Sequence, residues 1–241
     1  QEKDDFVHWI KMTEPGQDGD YFRMNGTGEM LIFSATDFED FLEPRPDLPP
    51  SLESELKEVV TVLAKNRWPF RLHATYDESI TRFLSVFEDV NREVPLHRPN
   101  WFFDHAETIS DQNLERVRAL GGGIAVQHRM AFQGEYFVNR YGAKAAARTP
   151  PIRRMLDLGI PVGAGTDATR VASYNPWVSL YWLVTGRTLG DYGAPLLEPA
   201  ATAHVHTASC GHHHKHHATA AGQAWAGDLG LWGSGCGCFA F

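Results

Sequence analysis

Four side chains of the kinds that bind metals and carry protons each sit at the end of a short apolar run. His73 lies in "WPFRLHA" (68–74), His105 in "NWFFDHAE" (100–107), His128 in "GGIAVQH" (122–128) and Asp167 in "IPVGAGTD" (160–167). Neutral imidazoles and a carboxylate suit Zn2+ or a similar divalent ion, and a catalytic site keeps one position open for water. A metal there lowers the pKa of its water and polarises a carbonyl oxygen, while a neighbouring carboxylate takes the water proton and passes it to a leaving amine. Each residue also has a plainer role. A histidine at a strand end is usually a hydrogen-bonded structural group, and an aspartate there can cap a helix. Four such groups at equivalent places outweigh those separate explanations.

To share one site, these groups need one scaffold. The four runs are short, apolar and bounded by turn residues, which predicts strands. Between them the pattern turns helical. Ile80, Phe83, Leu84 and Phe87 form one stripe, and Leu114, Val117 and Leu120 form another behind Ser110, a predicted N-cap. Segment 151–158 and the apolar stretch "NPWVSLYWLVTGR" (175–187) are further predicted helices, the last stopping at Gly186. Upstream, Leu52, Leu56, Val59, Val60 and Leu63 mark an amphipathic helix in 51–68. Four strand–helix units in succession predict an α/β fold with parallel strands, whose C-terminal edge is where such folds bind ligands. The first 45 residues read as irregular, with a hairpin or strand expected at 24–34. Three segments result: an irregular 1–50, an α/β body at 51–190, and a tail at 191–241.

The tail differs in kind from the body. Only Asp191, Glu198, Lys215 and Asp228 carry charge there, and "HHHKHH" (212–217) lies among Ala, Gly and Thr. No period persists long enough to bury a face, so a poorly ordered tail is expected. A metal-binding tract, an artificial appendage and a shifted reading frame all give such a composition, and the abrupt loss of charge favours the shifted frame. All three cysteines (Cys210, Cys236, Cys238) lie in this tail, so the body can form no disulfide. With no signal-like apolar segment at the start, a cytoplasmic location is expected. A formal net charge of −8 argues against nucleic acid, and no apolar run is long enough for a membrane span.

The segments "RLHATYDESI", "FFDHAETIS", "GIAVQHRMA" and "GIPVGAGTDAT" resemble the second half of a metal-dependent amidohydrolase barrel, the branch nearest in pattern being that of the N-substituted formamide deformylases. The likeness runs over roughly residues 20–190. It implies a partial (β/α)8 TIM-type barrel comprising strands five to eight. It also implies that His73 and His105 are metal ligands, that Asp167 is both ligand and proton carrier, and that His128 with Arg129 positions substrate. The implied cofactor is a divalent metal, zinc above all. The implied reaction is hydrolysis of a non-peptide C–N bond in a small molecule.

The departures are as informative. The family's strand-one His-x-His does not occur in residues 1–190; its instances, "HVH" (204–206) and those within "HHHKHH" (212–217), lie in the tail. For the strand-four ligand, Lys11 in "HWIKMTEPG" is a weak match. "QHRM" and "TYDES" stand where the branch carries other motifs. Half a barrel is expected to show open edges and an exposed apolar inner face, and to be an impaired hydrolase. A non-catalytic protein binding metal through its tail, and a non-functional truncated reading frame, are the alternatives. Glu107 is expected to be a helix-start charge, Asp104 a supporting or capping group, and Trp101, Trp177 and Trp182 core residues. The oligomeric state is not fixed by these residues.

Overall fold

The strand runs and helical stripes find each other as their periods require. The structure, a computed structural model, describes residues 2–12, 14–15, 21, 24–38, 40–96, 101–168, 172–190 and the backbone of 239–240. Strands β1 (Phe70–Ala74), β2 (Trp101–His105), β3 (Gly123–Gln127) and β4 (Val162–Gly165) lie in that order, all parallel. A two-residue strand from the tail, Phe239–Ala240, pairs antiparallel with β4. The remainder of the tail lies outside the described residues, and the expectation of poor order made for it lies there too.

The pairing register sorts the side chains. Phe70 stands opposite Trp101 and Leu72 opposite Phe103, so these four share one face. Helices cover that face. Helix α2 (Leu52–Lys65) buries the predicted Leu52, Leu56, Val59, Val60 and Leu63, and α3 (Asp77–Glu93) buries Ile80, Phe83, Leu84 and Phe87. The Phe87 ring stacks on Phe103 at 5.6 Å between centroids and meets Trp101 edge-on at 4.9 Å. Helix α4 (Asp111–Ala119) begins as expected, the Asn113 backbone N–H donating to Ser110 Oγ at 3.3 Å. The last predicted helix is α8 (Pro176–Thr185), closed by Gly186 in the left-handed conformation.

Several expectations are corrected. The N-terminal region is not wholly irregular, because α1 (Glu2–Trp9) is helical and plants Phe6 in the same core as Leu56 and Phe103. Between β3 and β4 the chain forms α5 (Met130–Tyr141) and α6 (Ala143–Ala146) before α7 (Ile152–Asp157). The buried positions of α5 include Ala131 and Gly134, which carry too little hydrophobic weight for a stripe to stand out. Segment 24–32 is neither hairpin nor strand. It is an extended chain docked beside β1, with Thr27 N–H donating to Pro69 O at 2.9 Å and His73 N–H to Glu29 O at 3.1 Å. The docking needs a glycine, since a Cβ on Gly26 would lie 2.3 Å from Pro69 O.

The inner face is not the expected exposed apolar surface. Alternation places Arg71 and His73 of β1 there, beside Phe102 and Asp104 of β2 and Gln127 of β3. Asp104, fully buried, is gripped by Arg71 through Nε to Oδ2 at 2.8 Å and Nη2 to Oδ1 at 2.6 Å.

Candidate metal centre

His73 reaches the inner face by simple alternation. His105 does not: its strand parity is that of Trp101 and Phe103, which face the helices. The backbone breaks the alternation, with His105 at φ 80° and Ala106 at φ 54°. Left-handed conformations in non-glycine residues cost about 1–3 kcal/mol each and gather at functional sites. The effect of the turn is to bring the His105 ring within 4.3 Å of the His73 ring, centroid to centroid.

A carboxylate completes the group. Glu29, delivered by the extended segment beside β1, places Oε2 3.1 Å from His105 Nε2 and 3.4 Å from His73 Nδ1. One donor atom from each of the three residues lies within 4.8 Å of the others. Burial works to raise the Glu29 pKa, but hydrogen bonds from His105 and His73 prevail and hold it well below the usual carboxylate range. Burial, aided by the nearby Arg129 cation, pushes His105 well below the usual imidazole range. The site therefore offers an anionic oxygen and a neutral imidazole whose Nε2 gives up the proton it shares with Glu29 when it binds a metal. Two histidines and a glutamate form a donor set that suits a divalent ion and leaves room for water.

His73 is braced from behind. The buried Asp37 carboxylate accepts N–H bonds from Thr75 (3.1 and 2.9 Å) and Tyr76 (3.0 Å), and its Oδ1 lies 3.6 Å from His73 Nε2. Thr75 Oγ1 is 3.3 Å from the same nitrogen. Partners of this kind fix the orientation of a ligand ring. Burial pushes Asp37 up to about 6.

The remaining predicted residues occupy the same sheet edge with different partners. Asp167 follows β4 at φ 50°, and its Oδ2 accepts from Arg129 Nη2 at 3.0 Å. It is not in the close group of three. Burial raises its pKa, against the pull of Arg129. Arg129 also donates to Glu107 Oε1 at 3.3 Å. Glu107 is thus a buried ion-pair partner, not the helix-start charge expected of it. His128 is buried with its Nδ1 on Ser179 Oγ of α8, so it ties a strand tip to that helix. Asp104 supports from below through Arg71. Trp101 and Trp182 are core residues as expected, but Trp177 is 72% exposed.

Glu29 and Asp37 were not anticipated from sequence. The one signal for Glu29 was an acidic residue between Gly28 and the apolar "MLIF", and it has no strand-tip position to mark it. From the N-terminal segment it is Glu29, and not Lys11, that is found beside the histidines. The "HVH" at 204–206 lies outside the described residues.

Comparison with known proteins agrees with this fold. The model of the amidohydrolase family matches residues 1–226. A solved structure of an uncharacterized metal-dependent hydrolase from Pyrococcus furiosus aligns with TM-score 0.57 and 19% identity, over 76% of this chain and 38% of its own. A metal-dependent hydrolase from Pyrococcus horikoshii OT3, also uncharacterized, aligns with TM-score 0.57 and 16% identity, over 78% of this chain and 39% of its own. The chain thus spans under two fifths of the length of these structures, and at such identities they establish the shared partial TIM-type barrel fold. No curated protein matches.

Proposed function

The chain belongs to the amidohydrolase family, and from that premise we propose that it acts as a zinc-dependent hydrolase on a non-peptide C–N bond of a small molecule. The observation that carries the proposal is the convergence of Glu29, His73 and His105 donor atoms within 4.8 Å. A divalent metal is what the family implies, and the donor set described above fits one ion. His73 and His105 would hold it through ring nitrogens, Glu29 through a carboxylate oxygen. When bound, the ion would supply an acidified water and polarise the carbonyl oxygen of an amide.

The chain's own groups supply the rest. Asp167, on the same edge, takes the water proton on a carboxylate oxygen and returns it to the leaving nitrogen, so the amine departs neutral. Its raised pKa, caused by burial, makes it a better base than an exposed aspartate. His128 is directed at Ser179 and Arg129 at two carboxylates, so both hold the strand tips in place. No helix among the described residues is long and apolar enough to cross a membrane.

Metal content tests the proposal. The 241-residue chain should carry about one equivalent of zinc by elemental analysis, lost in His73→Ala/His105→Ala and kept when His212, His213, His214, His216 and His217 are all replaced by alanine. Loss that follows only the second variant would place the metal in the tail and end this reading. The expected activity is metal-dependent release of amine from formamides or other simple amides, abolished by Asp167→Asn.

A further inference from the structure

One guanidinium ties three strand tips together. Arg129 follows β3, Glu107 follows β2 two residues after His105, and Asp167 follows β4. Arg129 Nη1 donates to Glu107 Oε1 at 3.3 Å and Nη2 to Asp167 Oδ2 at 3.0 Å. The side chains of Arg129 and Glu107 are 3% and 2% exposed, against 27% for Asp167.

We infer that Arg129, braced by Glu107, is a positioning residue for Asp167 and does not itself contact substrate. The inference rests on Asp167 being the proton-carrying carboxylate proposed above. The exposures decide between the two roles. A guanidinium that is almost wholly buried between two carboxylates has no surface to offer a substrate, whereas the carboxylate it holds does. Arginine is suited to the task because its planar fork engages two acceptors at a fixed angle, which a lysine ammonium does not. Asp167 needs such a hold, because its left-handed backbone (φ 50°) is disfavoured for a non-glycine residue. With Oδ2 committed to Arg129, the proton is left to Oδ1. Glu107 in turn keeps the arginine from swinging towards other anions, and its place just past His105 couples the base to the strand that carries a ligand.

The alternative is a structural clamp that merely closes the gap between strand tips. The 241-residue chain loaded with Co2+ separates the two, through kcat and through the visible spectrum of the ion, which responds to the carboxylates around it. The variants are Asp167→Asn, Arg129→Lys and the double Glu107→Gln/Arg129→Met. The double variant removes both buried charges together, so neither is left without a partner. Positioning predicts that the double variant binds Co2+ and shifts its spectrum in the same sense as Asp167→Asn. Arg129→Lys, with charge but no fork, shifts it part of the way. Amide hydrolysis, followed in the zinc-loaded protein, should fall by about tenfold or more in kcat with little change in KM.

Wild-type kcat in both Arg129 variants, alongside a lowered kcat in Asp167→Asn, overturns the inference and leaves the proposed function standing. Should the double variant not fold, Arg129→Lys decides alone by the same comparison. Unimpaired amide hydrolysis in Asp167→Asn, or no Co2+ binding by the parent protein, instead removes the proposed role of Asp167 or the metal site, and the inference goes with it.

Discussion

The two faces of one sheet are held by different physics. Towards the helices, Phe70, Trp101, Phe103 and Phe87 form a fully buried aromatic cluster with no ionisable group among them. On the inner face, a few ångströms away through the same strands, the buried His73, Asp104 and Gln127 and the half-buried Arg71 are all polar. The apolar face gains by leaving water. The inner face pays for desolvation and recovers it only through matched partners, as in the Arg71–Asp104 pair. The first face makes the fold; the second, costly for the fold, makes the chemistry.

Three perturbations sharpen that contrast, in order of expected size. Phe103→Ala should cost about 3–5 kcal/mol in urea denaturation, as a large buried ring is lost and a cavity is left behind. A cost below about 1 kcal/mol would mean that the aromatic face does not support the sheet. Arg71→Met should cost about 3 kcal/mol, because it strands Asp104 as a buried charge. Adding Asp104→Leu should return most of that loss, which would identify the pair as a matched set without large net benefit to stability. If the double variant is instead as unstable as the single, the pair stabilises the sheet outright.

The third effect depends on pH. Burial lifts Asp37 from an ordinary 3.8 to about 6, so the folded state holds this proton more tightly than the unfolded state does. Its stabilising contribution is then complete below about pH 4 and disappears as pH rises through 6, an amount of about 3 kcal/mol for a shift of roughly two units. Asp37→Asn cannot titrate. The stability advantage of wild type over this variant should therefore shrink between pH 4 and pH 7, read as the difference in denaturation midpoints. An advantage that grows with pH would mean that the N–H donors of Thr75 and Tyr76 stabilise an ionised Asp37.

Much of this was legible in the chain. The stripes of α2 and α3 follow from a period of 3.6, the Ser110 cap from its residue type, and the four strands from short apolar runs bounded by turn residues, none of which needs tertiary knowledge. Helix α5 was hidden because its buried face is built partly from Ala131 and Gly134. His105 was legible as a strand-tip residue, but parity alone would send its ring to the wrong face. Only the left-handed turn at His105 and Ala106 corrects this, and nothing in "DHAE" announces it.

The sequence by itself determined where the strands end and which polar groups stand at those ends, because local periodicity and turn chemistry are short-range properties. Which groups meet was decided by the tertiary structure. Glu29 bonds His105 across 76 residues, and Arg129 chooses Asp167 and Glu107 over open solvent. Such choices depend on how packed elements place charges and exclude water, and that is fixed only when the whole core closes.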